Sequence, residues 1–301
     1  MDLRHCTLCP RRCGADRTSS FGMCGAGEYI RIARAALHFG EEPCITGKNG
    51  SGTVFFSGCA LGCKFCQNDS ISQKRFGEDI TEKRLSEIFL ELQDQGAENI
   101  NLVTPSHYAP MVANALKTVK SELKIPVVCN CGGYESPEIL RYFDGLVDVY
   151  LPDLKYYSSE LSKRYSNAKD YFEIASSALR EMFRQTGACV FSSEGMLQKG
   201  LLIRHLVLPG AKEDSKKLLR WISENFPAES IRVSLMRQYT PRGDLTSCPE
   251  INRKLLSAEY SSVLRYADEL GIRGYTQGRG CDNFSMTPIF DLTGVLPKRS
   301  L

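Results

Sequence analysis

The sequence predicts an α/β fold, a partial (β/α)6-type parallel barrel with a Cys-rich N-terminal extension. From Thr53 onward, short apolar runs alternate with amphipathic helical segments, which is the pattern of right-handed βαβ crossovers. We count six or seven such units, too few to close an eight-unit barrel. The first 50 residues are rich in Gly, Cys and Arg and lack strong periodicity. We therefore expect an extension over residues 1–50, which binds metal, and a partial barrel over residues 51–301.

The strands are predicted from short apolar runs bounded by polar or turn residues. In order they span residues 53–57, 99–105, 125–130, 146–152, 201–209, 230–236 and 272–276. The helices are predicted from apolar residues at helical spacing, and the first of them stops at Gly96. They span residues 81–96, 109–123, 136–143, a long helical region that ends near residue 185, then 214–226 and 252–271. In such a fold the functional side chains gather at the carboxyl ends of the strands.

Composition and charge exclude several classes of protein. Lys and Arg number 38 against 35 Asp and Glu, so the formal net charge is +3, which predicts no nucleic-acid partner. No apolar run reaches the roughly 18 residues of a membrane helix. The N-terminus, MDLRHCTLCPRRCG, has no apolar stretch that could act as a signal peptide. We expect a cytoplasmic protein without a membrane partner.

The most informative count is that of cysteine, of which the chain has 13. An odd number without a signal peptide argues against a disulfide framework and favours metal binding. The cysteines also cluster, with four in the first 24 residues and three between Cys59 and Cys66. This distribution predicts at least one metal centre.

The central triplet, Cys59, Cys63 and Cys66, has the spacing C-x3-C-x2-C and follows the first predicted strand. Three thiolates can hold three irons of a [4Fe–4S] cube and leave the fourth iron open to a substrate. The alternatives are three buried thiols or a zinc site, but zinc sites usually use four protein ligands. The triplet therefore favours an iron–sulfur cluster with an open iron.

At this triplet the sequence resembles the radical S-adenosylmethionine (SAM) superfamily, whose signature is C-x3-C-x-aromatic-C, and Phe65 fills the aromatic position that packs beside adenine. The segments GSGTVFFSGC (50–59), KFCQN (64–68), NLVTP (101–105), YLPDLKYY (150–157) and IRHLVLPG (203–210) resemble the pyruvate formate-lyase activating enzyme branch. Within it, the chain is most similar to short homologues with a Cys-rich N-terminus, over about residues 1–295.

The resemblance implies cofactors and chemistry. A [4Fe–4S] cluster chelates SAM, and its reduction cleaves SAM to methionine and a 5′-deoxyadenosyl radical that abstracts hydrogen from a substrate. An electron donor such as flavodoxin or ferredoxin is then an expected partner. Arg204 matches the arginine of the family that binds the SAM carboxylate, a task suited to the planar guanidinium. His205 is expected on the opposite face of the strand.

Other implied SAM contacts depart from the family pattern to different degrees. Asp153 and Lys155 match its Asp-Leu-Lys at the end of a strand. Asn130 stands where the family has Asp, which weakens the case for a bound monovalent cation. The usual Gly-Gly-Glu after the second strand is replaced by residues 104–107. There Ser106 and His107 either supply the missing hydrogen bonds or merely finish the strand.

The N-terminal cysteines have the spacing C-x2-C-x3-C-x10-C. Four close thiolates suit either a tetrahedral zinc ion or a saturated second iron–sulfur cluster, and spacing alone does not separate the two. Free thiols are the remaining alternative. The set consists of Cys6, Cys9, Cys13 and Cys24.

Three functions remain open on the sequence. The first is a radical-generating activase that abstracts hydrogen from a glycine of a partner glycyl radical enzyme. The second is a radical SAM enzyme that modifies a small molecule or a peptide. The third is a non-enzymatic iron–sulfur or zinc binding module, which leaves Phe65, Arg204 and Asp153 without an explanation.

Overall fold

One sheet of mostly parallel strands organises the chain, and a computed structural model describes residues 2–281 and 287–297. Within those residues, the strands are β1 (Ile30–His38), β2 (Ser51–Phe56), β3 (Glu78–Ile80), β4 (Ile100–Val103), β5 (Val127–Cys131), β6 (Val149–Pro152), β7 (Val190–Phe191), β8 (Leu197–Leu206), β9 (Arg232–Met236) and β10 (Gly274–Thr276).

Helices connect the parallel strands. In the same described ranges they are α1 (Pro43–Thr46), α2 (Asp69–Ser72), α3 (Glu82–Asp94), α4 (Ala109–Val119), α5 (Pro137–Leu140), α6 (Ser159–Ser166), α7 (Tyr171–Thr186), α8 (Lys212–Asn225) and α9 (Ser257–Glu269). Three short 3₁₀ turns accompany them, at Ser106–Tyr108, Arg141–Phe143 and Pro249–Ile251. Across the described residues, none of the helices combines the length and the apolar character that crossing a bilayer requires.

The strand order is β10-β9-β8-β6-β5-β4-β2-β1-β3, with β7 paired to β8. From β2 to β10 along this order the neighbouring strands are parallel. Strand β1 is antiparallel to β2 and to β3, so the edge on that side is a small antiparallel unit. The predicted α/β fold with a parallel partial barrel is confirmed.

Local sequence explains where α3 begins and ends. The hydroxyl of Thr81 accepts a hydrogen bond from the backbone N–H of Arg84 and so caps the N-terminus. The helix stops before Gly96, which has a φ of 84° that glycine adopts at little cost. The predicted stop at Gly96 is thus correct.

Three elements differ from the sequence prediction. Strand β1 lies where no periodicity was expected, because its alanines and arginines do not form an alternating pattern. The long helical region splits into α6 and α7 at Asn167, whose left-handed φ of 48° ends α6. The helix predicted from residue 252 begins only at Ser257, after the 3₁₀ turn.

Side chains of the sheet alternate between two faces. Helices cover the outer face, which includes Cys129, Tyr150 and Ile203. The inner face of the central strands is apolar near their amino ends and polar near their carboxyl ends, as in Leu202 followed by Arg204.

The short helix α1 lies against the apolar part of this inner face. Cys44 and Ile45 pack in one buried cluster with residues of β5, β6 and β8, namely Val128, Val149, Leu151, Leu197 and Leu202. The amide of Asn99 donates to the carbonyl oxygen of Ile45 at 2.7 Å. Residues of the N-terminal segment therefore fill the interior of the partial barrel, and the carboxyl ends of its strands stay open.

Candidate functional site

The loop after β2 presents the three cysteines of the triplet, and each sulfur accepts a hydrogen bond. Cys59 Sγ accepts from the backbone N–H of Leu61 at 3.4 Å. Ser166 Oγ donates to Cys63 Sγ at 2.9 Å, and Ser72 Oγ donates to Cys66 Sγ at 3.3 Å. Donors aimed at sulfur stabilise its anionic form and tune a bound metal cluster.

Electrostatics show that the triplet needs a cationic partner. Burial, together with the charges of Cys63 and Cys66, raises the pKa of Cys59 to about 12. Burial also raises the pKa of Cys66. The thiolates of Cys59 and Cys66 are therefore unstable alone, whereas an iron–sulfur cluster supplies the compensating positive charge. The donor set fits a cluster held by three thiolates.

A single cavity, which we name the main cavity, joins the triplet to the carboxyl ends of the parallel strands. Eight of the predicted site residues line it: Cys59, Cys63, Phe65, Cys66, Asn130, Asp153, Lys155 and Arg204. They come from the β2 loop and from the ends of β5, β6 and β8, so distant sequence segments meet at one edge of the sheet. The Phe65 ring packs edge-on against Tyr165 and Tyr239.

Arg204 lies at the centre of a hydrogen-bonded network. Its Nε donates to Asp153 Oδ1 at 3.0 Å, its Nη1 to Glu41 Oε2 at 3.0 Å and its Nη2 to Asn130 Oδ1 at 2.7 Å. The amides of Asn130 and Asn101 both donate to Glu41 Oε1 at 3.1 Å. Glu41 thus places a carboxylate beside Asn130.

Opposite charges fix the ionisation of this network. Burial opposes ionisation of Asp153, but the charges of Arg204 and Lys155 outweigh it and lower its pKa. The ammonium group of Lys155 donates to Asp153 Oδ2, and the Asp153 charge raises the pKa of Lys155 against the effect of burial. The wall of the main cavity therefore carries fixed positive and negative charges.

A second, smaller cavity, which we name the inner cavity, adjoins the main cavity. The two share Cys59, Leu61, Thr104 and Gly132 as lining residues. Thr104 has a φ of 60°, a conformation that strains a β-branched residue and is commonest at functional sites.

Glu135 is the charged residue that lines the inner cavity. Its side chain is buried and accepts a hydrogen bond from Ser106 Oγ at 3.0 Å through Oε1. Among the described residues, its Oε2 has no hydrogen-bond partner. Burial raises the pKa of Glu135. An unpaired buried carboxylate oxygen is costly, so this position suits a cationic ligand.

The side chains of His107 and His205 both form hydrogen bonds within the protein. His107 lines the inner cavity, but its Nε2 bonds the carbonyl oxygen of Ser57 at 2.8 Å, and burial lowers its pKa to about 4. His205 points to the outer face as expected, where Nδ1 bonds Leu154 O and Nε2 bonds Ser215 Oγ. Both imidazoles are neutral and hold loops in place.

The N-terminal cysteines lie close together and beside the triplet loop. Cys6, Cys9 and Cys24 are buried, and Cys13 is half-buried. Within the described residues, no three Cys, His, Asp or Glu side chains converge on the position of a single metal ion.

Sequence reasoning missed three residues of the site. Glu41 lies in a segment without periodicity, and no local signal marks it. Thr104 is unremarkable by residue type, because its importance lies in its backbone conformation. Glu135 follows β5 by four residues, and a carboxylate placed so soon after a predicted strand end was the available signal.

Comparison with known proteins identifies a matching family and a relative of similar sequence. The sequence profile of the Radical SAM superfamily matches residues 53–222. An uncharacterised protein of Methanocaldococcus jannaschii, MJ0674, is 31% identical over 278 residues, which cover 89% of this chain and 76% of that protein.

Solved structures share the fold at low identity. SuiB of Streptococcus suis, solved with S-adenosylmethionine bound, matches 74% of this chain with 16% identity and a TM-score of 0.52. This chain spans about half, 49%, of the SuiB chain. A radical SAM methyltransferase from Sphaerobacter thermophilus matches 77% of this chain and 68% of its own, with 14% identity and a TM-score of 0.50.

Proposed function

This chain belongs to the radical SAM superfamily, and from that premise we propose that Cys59, Cys63 and Cys66 hold a [4Fe–4S] cluster in an enzyme that abstracts hydrogen from its substrate. The observation that carries the proposal is the main cavity, where hydrogen-bonded sulfurs face a charged wall at the strand ends. When bound and reduced, such a cluster supplies the electron that cleaves SAM to methionine and a 5′-deoxyadenosyl radical.

The charged groups of SAM have complementary partners in the two cavities. We propose that Arg204 and Lys155 bind the carboxylate of SAM, since both are cationic and line the main cavity. Glu135 takes the ammonium group, because its Oε2 lacks a partner among the described residues. Phe65 packs beside the adenine. Asp153 and Glu41 keep the Arg204 guanidinium in place.

We propose a polypeptide substrate, and a glycine of a partner protein as the source of the hydrogen atom. Ile289 is 79% exposed and follows Pro288, which lines the main cavity. A polypeptide that reaches the main cavity would cover this apolar side chain and gain from its burial.

Two further proposals concern the cellular compartment and the electron donor. We propose the cytoplasm as the compartment, because cluster thiolates need reducing conditions. A low-potential donor such as flavodoxin or ferredoxin supplies the electron.

The decisive experiment is anaerobic reconstitution followed by reduction in the presence of SAM. We expect 5′-deoxyadenosine and methionine as products, and their loss in Cys63→Ala. If the Cys63→Ala protein cleaves SAM like the unmodified protein, the assignment of the triplet is wrong. A reconstituted protein that binds iron but never cleaves SAM would instead support the non-enzymatic binding module.

The substrate class is tested with deuterium. Candidate glycyl radical proteins labelled at glycine Cα are incubated with the reduced enzyme and SAM. Transfer of deuterium into 5′-deoxyadenosine, with a glycyl radical signal in electron paramagnetic resonance (EPR), supports the activase. Transfer only from a small molecule or a short peptide would contradict it. We expect Ile289→Ser to weaken the binding of a protein substrate selectively. Cleavage of SAM in the absence of substrate should stay unchanged.

A further inference from the structure

The four N-terminal cysteines form a second group of thiols. The backbone N–H of Cys6 donates to the carbonyl oxygen of Ala15, and Gly14 N–H donates back to Cys6, both at 3.0 Å. This pairing closes the loop that carries Cys9 and Cys13. At Gly22, an added Cβ would lie 3.4 Å from Cys24 Sγ and 3.6 Å from Cys13 Sγ. The two sulfurs therefore lie within contact distance of the same point.

The group sits directly against the triplet loop. The backbone N–H of Cys59 donates to the carbonyl oxygen of Cys24 at 2.8 Å. Cys9 and Cys59 line the same inner cavity. Arg11 Nε donates to the carbonyl oxygen of Ala60 at 2.8 Å. The two sets of thiols are therefore joined by one backbone hydrogen bond, one bond from the Arg11 side chain and one shared cavity.

The group also faces a different part of the surface from the main cavity. An outer groove is lined by residues of the N-terminal segment and of the region around α5, among them Cys9, Arg12 and Arg141. Among the described residues, this groove and the main cavity have no lining residue in common. Cys9 lines both the outer groove and the inner cavity, and so lies between the surface and Cys59.

The number and position of these thiols favour a cluster. Four thiolates are the complete ligand set of a saturated [4Fe–4S] cluster. The set adjoins the triplet loop through the bond from Cys59 N–H to the carbonyl oxygen of Cys24. A cluster at this position can exchange electrons with the triplet site, whereas a zinc ion has no redox chemistry.

We infer that Cys6, Cys9, Cys13 and Cys24 hold a saturated [4Fe–4S] cluster through which electrons enter from the outer groove and reach the triplet site. A low-potential one-electron donor is oxidised by one electron. That electron passes through the N-terminal centre to the site at Cys59, and it is consumed when the S–C5′ bond of SAM breaks to give methionine and the 5′-deoxyadenosyl radical. The relay rests on the proposed function, whereas the second cluster does not.

Metal analysis tests the second cluster without relying on activity. We expect about eight irons per chain in the reconstituted protein and about four in Cys63→Ala, with no zinc in either. Reduced Cys63→Ala should keep a [4Fe–4S] EPR signal that SAM does not perturb. The matched control is Cys189→Ala, since Cys189 bonds Leu201 in β8, away from both cysteine groups; it should keep the full iron content. One zinc per chain, or an iron-free Cys63→Ala protein, overturns the inference.

The relay is tested with two reductants. In Cys9→Ser with Cys13→Ser, we expect SAM cleavage driven by flavodoxin to fall to the rate seen without flavodoxin, while small-molecule reductants still support cleavage. Retention of the triplet cluster and of SAM binding shows that this variant is folded. Unchanged cleavage with flavodoxin overturns the relay. If the unmodified protein does not cleave SAM with any reductant, the proposed function is refuted. The iron count alone then decides whether the second cluster is present.

Discussion

At the scale of single residues, Glu135 combines two properties that are unfavourable together. It is 4% exposed, and its Oε2 lacks a hydrogen-bond partner among the described residues. Burial raises the pKa of its carboxyl group, so without a ligand the group tends toward the neutral form. A bound ammonium group would favour the ionised form and satisfy the second oxygen. The residue is therefore arranged for the complex with SAM rather than for the empty protein.

Glu135→Gln removes the charge and keeps the shape. Because loss of a hydrogen bond to a charged group costs about 1.5–3 kcal/mol, the dissociation constant of SAM should rise roughly 10- to 150-fold. Equilibrium binding of SAM to the reconstituted protein measures this dissociation constant. Iron content should stay unchanged. The control is Glu138→Gln, at an exposed position of α5, which should bind SAM like the unmodified protein; equal affinity in both variants would exclude Glu135 from the site.

Arg204→Lys tests the carboxylate end of SAM. Lysine keeps the charge but cannot reproduce the planar donor geometry, and it also gives up bonds to Glu41 and Asn130. Loss of about 1.5–3 kcal/mol predicts a dissociation constant roughly 10- to 150-fold higher. His205→Gln is the comparison: its bonds to Leu154 and Ser215 lie on the outer face, so it should lower stability and leave SAM affinity nearly unchanged. The reverse pattern of affinities would refute the assignment.

At the scale of elements, the triplet loop is held from two sides. The N-terminal segment holds it through Arg11, which donates to the carbonyl oxygens of Ala60 and Leu61 and, across the loop, to those of Ser166 and Asn167. The barrel holds it through Ser72 and Ser166 at the sulfurs. One guanidinium thus ties the N-terminal segment, the triplet loop and the end of α6 together.

Arg11→Ala should loosen the loop without removing a thiol. We expect the free energy of unfolding to fall by about 1–3 kcal/mol, since several carbonyl groups lose a charged donor. Iron should also pass to a chelator faster. Denaturant titration and the rate of iron transfer measure the two effects. Arg12→Ala, next in sequence but exposed, serves as control. Equal iron loss in the two variants would show that Arg11 does not hold the loop.

At the scale of the whole molecule, the sequence predicted the parallel strands well because each is a short apolar run followed by an amphipathic helix. The polar residues at the strand ends were assigned from the family resemblance and not from this pattern. The sequence could not predict how β1 and α1 return to the sheet, because that depends on contacts with strands far along the chain. Glu41 belongs to this returning segment. Features that local periodicity determines were therefore predictable from the sequence, whereas features that depend on tertiary contacts were not.

The contribution of α1 to the interior can be measured directly. Ile45 is fully buried against the inner face of the sheet. Ile45→Ala should lower the free energy of unfolding by about 2–5 kcal/mol, through lost burial and a cavity. Ile289→Ala, at a position 79% exposed, should change it by less than about 0.5 kcal/mol. Denaturant titration of both variants is the measurement. Equal values would mean that α1 is not part of the core.

The position of α1 also bears on how the chain folds during synthesis. Ile45 leaves the ribosome long before β8, against which it packs, has been made. At about 5–20 residues per second, the delay is on the order of ten seconds. Throughout it the apolar side chains of α1 lack their final partners, and the many contacts between distant residues make the last folding step slow. Nascent chains that stall before β8 should therefore be the species that chaperones and proteases recognise.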